Sequence, residues 1–220
     1  MKKSKELAYW IGVAQSDGCF RNYFEKRGNK LIERYKLQLG VREKSLPMLE
    51  KFRGISQELF GTTGNTSINR KRTTVFEIKI KRFLKDFKEL DIDFYDPPNP
   101  PNWCEDNYKY FCAYLAGIID GDGDIRISRI EYPMCAVRIT SSKEQKKLRK
   151  SIIKNLSCGC SQRNLSRESI IEGRKVHGKY SVIEFYISPK NFKIIQEFLV
   201  KELSLEYKRN KLIEYIKTRN

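Results

Sequence analysis

The chain has 220 residues, 40% of them hydrophobic, which suits one large core or two small ones and excludes a disordered chain. Its 44 Lys and Arg stand against 27 Asp and Glu, a formal net charge of +17 that points to a polyanionic partner, nucleic acid first, with a ribosomal or membrane-surface role also compatible. No apolar run approaches the ~20 residues that span a bilayer, and the stretch after the charged start is broken at Gln15, Ser16 and Asp17 without a cleavage-type ending, so the expectation is a soluble intracellular protein (cytoplasm or a DNA-containing organelle), not a secreted one.

In chain order, the first element is an apolar segment, 7–16, long enough for about three helical turns. Asp17-Gly18 follows, and the glycine suits a left-handed helix C-cap. Two strands, 19–27 and 31–41, flank a Gly28–Asn29 turn. The second alternates cleanly: Tyr35, Leu37, Leu39 and Val41 on one side, Arg34, Lys36, Gln38 and Gly40 on the other. Period two means one buried face and one basic face. A helix over 46–60 comes next. A strand at 74–80 follows, with Phe76, Ile78 and Ile80 inward and Glu77, Lys79 and Lys81 outward. A closing helix begins near Arg82.

Asp96–Trp103 then places four prolines in a short stretch, which excludes a helix or an interior strand and reads as a stiff connector over 96–105. Beyond it the order of elements returns. The apolar segment 111–121 leads to Asp122-Gly123, then to strands at 124–132 and 134–141 with Cys135, Val137 and Ile139 inward and Arg138 and Thr140 outward. A helix spans 143–156, with Ser142 and Gln145 at capping-box spacing. A strand at 180–188 buries Ile183, Phe185 and Ile187, a helix begins near Pro189, and a last helix runs from Leu205. Aligning Asp17 with Asp122 also pairs Gly12 with Gly117, Gly18 with Gly123 and Ala8 with Ala113, at half-chain spacing. The predicted architecture is α+β: two pseudo-symmetric αββαββα halves, 1–95 and 106–220.

The six cysteines carry no disulfide framework. Cys112 and Cys135 sit in apolar stretches, Cys158 and Cys160 form a lone C-x-C, and the single histidine, His177, is distant, so reduced structural thiols are expected rather than a zinc site.

Gly117 and Gly121, like Gly12 and Ser16, are four apart and share a helical face. Small side chains there let two helices pack almost backbone to backbone. Such packing would bring Asp17 and Asp122 together at two helix C-termini, where carboxylates and partial negative charge repel. A divalent cation resolves that repulsion, and Mg²⁺ takes oxygen ligands. Two ions beside a phosphate suit in-line attack by water. The blander reading is that both aspartates only cap helices, since Asp-Gly is a common turn pair. The half-chain repeat favours the metal reading. Asp124 aligns with Cys19 and Asp120 with Gln15, so neither has a matching acid, and Asp120 is expected to support the helix base.

LAGIIDGDG, Leu115–Gly123, resembles the signature of the LAGLIDADG homing endonucleases, and WIGVAQSDG, Trp10–Gly18, resembles a diverged copy. The resemblance spans essentially the whole chain. It implies a single-chain, monomeric enzyme with paired motif helices at the interface between its halves. Antiparallel sheets would form a saddle on double-stranded DNA, and both strands would be cut near its centre at a long, asymmetric site. It implies Mg²⁺ as cofactor, with Mn²⁺ or Ca²⁺ substituting for binding and Ca²⁺ not supporting cleavage. Metal-ligating positions would be Asp17 and Asp122, with Ser16 and Gly121 before them. The family's lysine at the end of the fourth strand maps to Lys81; in the second half Ser188 takes that place, with Lys190 two residues on. The family's water-ordering glutamine falls near Glu43 and Ser142, beside Lys44 and Lys143, a departure from the pattern.

Outward positions give the candidate DNA-reading set: Arg21, Tyr23, Arg27, Arg34, Lys36, Gln38, Arg70, Lys79, Arg126, Ser128 and Arg138, with Glu25 among them. Arg and Gln make bidentate base contacts, and Lys mostly positions on phosphate. Other readings are a maturase acting on intron RNA, a non-cleaving binding protein on the same fold, and an intein-embedded nuclease. Met1, the lack of an initial Cys or Ser, and the Arg219–Asn220 end without a preceding His favour a free-standing protein over the last.

Overall fold

A computed structural model describes residues 1–69, 73–95, 98–128, 131–171 and 174–219. The first half runs α1 (Lys5–Ser16), β1 (Gly18–Arg27), β2 (Lys30–Val41), α2 (Leu46–Phe60), β3 (Asn65–Ile68), β4 (Thr74–Lys79) and α3 (Leu84–Glu89). After the short α4 (Asn102–Glu105), the second runs α5 (Tyr108–Asp122), β5 (Gly123–Ser128), β6 (Met134–Ser141), α6 (Lys146–Leu156), β7 (Cys160–Ile171) and β8 (Arg174–Ile187). It closes with α7 (Phe192–Ile194), a π-helical turn over Ile195–Leu199, α8 (Val200–Glu202) and α9 (Glu206–Lys217).

Each half holds one antiparallel four-stranded sheet, ordered β1-β2-β4-β3 and β5-β6-β8-β7. Alternation decides what each face meets. Leu37, Leu39, Phe76 and Ile78 are buried, and their neighbours Lys36 and Lys79 lie on the open side. Trp10 of α1 stacks on Phe52 of α2 with centroids 4.9 Å apart, and Phe52 meets Phe76 edge-on at 5.5 Å, so the helices cover one face of the sheet. The second sheet repeats the arrangement with Cys135, Val137, Ile139, Ile183 and Phe185 inside.

The two halves share a single core because α1 and α5 lie against each other. A Cβ on Gly12 would stand 2.1 Å from the Tyr114 carbonyl oxygen, and one on Gly117 2.3 Å from that of Tyr9. Nothing larger than glycine fits either position, as the four-residue spacing of small side chains led one to expect.

Three local expectations need correction. Neither motif glycine is left-handed: Gly28, Gly61 and Gly64 are the described glycines at positive φ, and Gly123 is extended at φ −83°. Gly18 and Gly123 are glycines for room, since a Cβ would lie 2.1 Å from the Ala14 oxygen and 2.6 Å from the Ile119 Cα. The capping box at Ser142 does not form; α6 starts at Lys146, after a buried Gln145 whose side chain makes no capping hydrogen bond. The proline-rich connector also carries structure: Trp103 is buried in α4 and donates its indole N–H to the Leu90 carbonyl at 3.0 Å. All described cysteines are free thiols, Cys112, Cys135, Cys158 and Cys160 being buried.

Candidate active site

The abutting helices end together. Asp17 caps α1, its amide bonded to the Val13 carbonyl at 3.0 Å, and Asp122 is the last residue of α5. A Cβ built on Gly121 would lie 2.2 Å from Ser16 Oγ and 3.5 Å from Asp17 Cγ, so the two acid tips share one small space. Neither carboxylate accepts a hydrogen bond or forms a direct ion pair with a described residue. Both are half-buried. Burial, and then the negative charge of Asp17, pushes Asp122 up to about 7. Burial also raises Asp17.

What holds the tips in place is a pair of crossed hydrogen bonds obeying the chain's internal two-fold. Tyr9 of α1 donates its hydroxyl to Asp120 of α5 at 2.7 Å, and Tyr114 of α5 donates to Gln15 Oε1 of α1 at 2.7 Å. Burial keeps both phenols protonated by raising them well above their ordinary range. Asp120 also accepts the backbone amides of Ser204 at 2.8 Å and Leu205 at 3.3 Å, just before α9. Gln15 accepts the Asn99 amide at 3.1 Å, which ties the connector to the same spot. The expected supporting role of Asp120 is therefore visible, and its partner Gln15 serves alike.

Lys208 of α9 is the cation whose charge acts on both acids. It is 5% exposed, and its ammonium donates to the carbonyls of Ile119 at 2.6 Å and Asp120 at 2.9 Å. Both oxygens lie in the last turn of α5, where that of Ile119 also accepts the Gly123 amide. Its charge lowers the pKa of Asp17 and of Asp122, against the upward push of burial. Sequence reading missed it, although the signal was there: the apolar stripe Leu205, Leu212, Tyr215, Ile216 has a lysine at its 208 position.

Lys81 and Lys190 stand elsewhere. β1 starts at the acid end, so β2 returns to it and β4 begins there and runs away: Gly18 pairs with Leu39, Leu39 with Phe76, and Lys36 with Lys79. Lys81 lies past the outer end of β4, ~20 Å along the strands from Asp17. Its ammonium binds the Glu33 carbonyl at 3.2 Å. Lys190 lies past Ile187, which pairs with Cys135 at the outer end of the second sheet. The fourth strand ends far from the acids, and a lysine placed there by analogy does not reach them. Glu43 and Ser142 do lie at the near end, just beyond Val41 and Ser141, and are exposed.

Chains of known structure align with this architecture. The LAGLIDADG homing endonuclease I-SmaMI bound to cleaved DNA matches at 14% identity, covering 98% of this chain and 88% of that one with a TM-score of 0.57. I-SmaMI bound to an uncleaved DNA target in the presence of calcium ions matches at 14%, covering 98% and 90%, TM-score 0.54. The I-LtrWI LAGLIDADG homing endonuclease bound to target DNA matches at 14%, covering 98% and 90%, TM-score 0.55. This chain has the LAGLIDADG homing-endonuclease fold. No family model and no curated relative matches it by sequence.

On the LAGLIDADG frame the outward residues share the open faces. Arg21, Tyr23 and Arg27 of β1 sit beside Lys36, Arg34 and Lys30 of β2, and Gln38 beside Glu77 of β4. Arg126 and Ser128 of β5 and Arg138 of β6 hold the matching side of the second sheet. Arg70 lies outside the described residues. Several of these cations are already engaged by acids of the same face: Arg34 with Glu25 at 2.7 Å, Lys36 with Glu77 at 2.6 Å, Arg126 with Asp124 at 2.7 Å, and Arg138 with Glu184. Among the described residues, no helix is long and apolar enough to cross a membrane, and no cluster of three or more His, Cys, Asp or Glu could hold a metal.

Proposed function

We propose that this protein is a site-specific endonuclease that hydrolyses one phosphodiester in each strand of a long, asymmetric double-stranded DNA target, as an intracellular monomer whose halves, 1–95 and 106–220, each bind one side of the site. The reading is carried by one observation: two half-buried carboxylates, unpartnered and repelling each other, at the meeting of two helix C-termini between two basic sheet faces. Water alone serves such a pair poorly, and a hard divalent cation with oxygen ligands serves it well.

Asp17 and Asp122 would hold the metal, Mg²⁺ in our reading, with the adjoining backbone of Ser16 and Gly121 completing the protein's share. The metal supplies Lewis acidity and an activated water at the scissile phosphates. The chain's own residues do the rest. The Tyr9–Asp120 and Tyr114–Gln15 pairs fix the separation of the tips. Lys208 favours the ionised carboxylates that bind cations. Arg21, Arg27, Lys79 and their neighbours hold phosphates and read base edges. The DNA-bound state of the similar I-SmaMI and I-LtrWI supports the same use of this fold.

Selection from a randomised duplex library with Ca²⁺, followed by incubation of the bound pool with Mg²⁺, tests the reading. Double-strand scission at one recovered site is expected. Asp17→Asn and Asp122→Asn should each reduce scission at least ~10³-fold while keeping binding. Undiminished cutting by both variants would defeat the metal assignment. A protein that binds intron RNA and cuts no duplex would be the maturase instead.

A further inference from the structure

The sheets differ at one edge, and the difference is one of reach. In the first half, β2 and β3 both leave β4 at Thr74, so no ribbon projects at that end, and the β1–β2 hairpin instead runs six rungs past β4 at the opposite end, from Asn22–Tyr35 to Arg27–Lys30. In the second, β6 leaves β8 at Ser181, yet β7 and β8 stay paired for seven further rungs, from Leu165–Tyr180 to Ile171–Arg174. At ~3.3 Å per residue the overhang extends about 23 Å. It leaves the sheet at the end where Asp122 sits, because Gly123 pairs with Ile139 and Ile139 with Ile183, two rungs before Ser181.

A lone two-stranded ribbon is marginal in water, and its free edges invite mispairing. Its side chains suggest what it meets. Arg163, Leu165, Arg167 and Arg174 fall on the side continuous with Arg138, since directly paired residues share a face. The described acid of the overhang, Glu168, lies on the other side, against His177 at 3.3 Å. Arg167 and Arg174 are exposed and have no ion pair among the described residues. Unlike Arg126, Arg138 and Arg163 of the same sheet, these two are uncommitted.

We propose that the β7–β8 overhang is a DNA-backbone clamp belonging to the second half alone, with Arg167 and Arg174 on phosphates, which makes protection beside the cleavage centre unequal on its two sides. A two-stranded ribbon has the width to enter a major groove, and unpaired arginines at its open face match phosphate oxygens. The proposal rests on the duplex-cutting reading, and its test separates the two.

Hydroxyl-radical footprints and salt-dependent binding would be compared on a 40-base-pair duplex carrying the selected site, in Ca²⁺. One variant is R167E/R174E; the other replaces residues 166–179 with Asn-Gly, closing the ribbon at the Leu165–Tyr180 rung. Both should lose protection of several nucleotides on one side only. The double variant should bind with a log–log salt slope shallower by about 2, at ~0.9 per phosphate. Pre-bound duplex should be cut at the unaltered rate. Unchanged footprint and slope in both variants would overturn the clamp and leave the nuclease standing. Loss of RNA binding with duplex binding intact would overturn it in favour of RNA. If the unaltered chain bound no duplex, the parent reading would fall and the clamp with it.

Discussion

Asp122 carries the sharpest consequence at the residue scale. Its carboxyl titrates at about 7 in the folded chain against an ordinary value near 3.8. The native state therefore holds this proton more tightly than the unfolded chain does. Stability of the metal-free protein falls as pH rises from near 4 to about 7 and is level above, where both states are ionised. Asp122→Asn removes that loss: its melting temperature should exceed the parent's by a margin that is nil near pH 4, grows to pH 7 and is constant beyond. A margin independent of pH, read by thermal melts in EDTA, would mean that burial and the Asp17 charge do not raise the Asp122 carboxyl. Metal works in the opposite direction. Mg²⁺ must displace the Asp122 proton, so it should stabilise the parent more at pH 8 than at pH 5.5. Lys208 depresses both acids. Lys208→Met should thus move the rise of cleavage rate with pH to higher pH, and should cost about 1–3 kcal/mol of stability by taking the ammonium donor from the buried Asp120 carbonyl. The aspartates were legible in the sequence because the repeat marks them twice. Lys208 was marked only by standing in the apolar stripe of α9, and nothing in the sequence ties that helix to either motif.

Elements were legible where periodicity is imposed by burial. The 46–60 helix and the inward Leu37, Leu39, Phe76 and Ile78 came out as alternation and amphipathicity require, because each slip of one residue would turn that set to solvent. Direction within the sheet was not legible. Nothing local in Thr74–Lys79 says which end lies near Asp17; the order β1-β2-β4-β3 and its register put Lys81 past the end that runs away from the acids. The ribbon's length was hidden too, since Arg167, Ser169 and Gly178 interrupt the apolar alternation there. Gly18 and Gly123 were legible in position and misread as left-handed caps, whereas Gly12 and Gly117 were legible in position and in cause. Gly12 and Gly117 face carbonyl oxygens at 2.1 and 2.3 Å from a built Cβ, so Gly12→Ala or Gly117→Ala must drive α1 and α5 apart. Each should cost about 3 kcal/mol or more. Cleavage should fall further than folding does, because the same separation spreads the acid tips. Calorimetry and cutting assays on each variant check the two effects, and an alanine variant of parental stability would contradict the close approach.

Across the whole molecule, the +17 charge overstates how much cation is free to meet DNA. Glu25, Glu77 and Glu184 stand on the open faces and engage Arg34, Lys36 and Arg138 there, and Glu184 also lies 3.9 Å from Arg163. A phosphate must compete with these acids for the same guanidinium groups. That competition weakens purely electrostatic binding, which any sequence can offer, and leaves contacts that also satisfy a base edge as the ones that compensate. The acids therefore act as a brake on non-specific binding. Glu184→Gln is the cleanest release, because one substitution frees two arginines: Arg138 at the sheet's centre and Arg163 at the root of the overhang. Affinity for an arbitrary duplex should rise several-fold and its salt slope should steepen by up to about 2. Affinity for the selected site should change less, so the specificity ratio falls. Fluorescence-anisotropy titrations on both duplexes at several salt concentrations measure all three quantities. A variant whose arbitrary-duplex affinity and salt slope match the parent's would show that Glu184 does not withhold these arginines from phosphate.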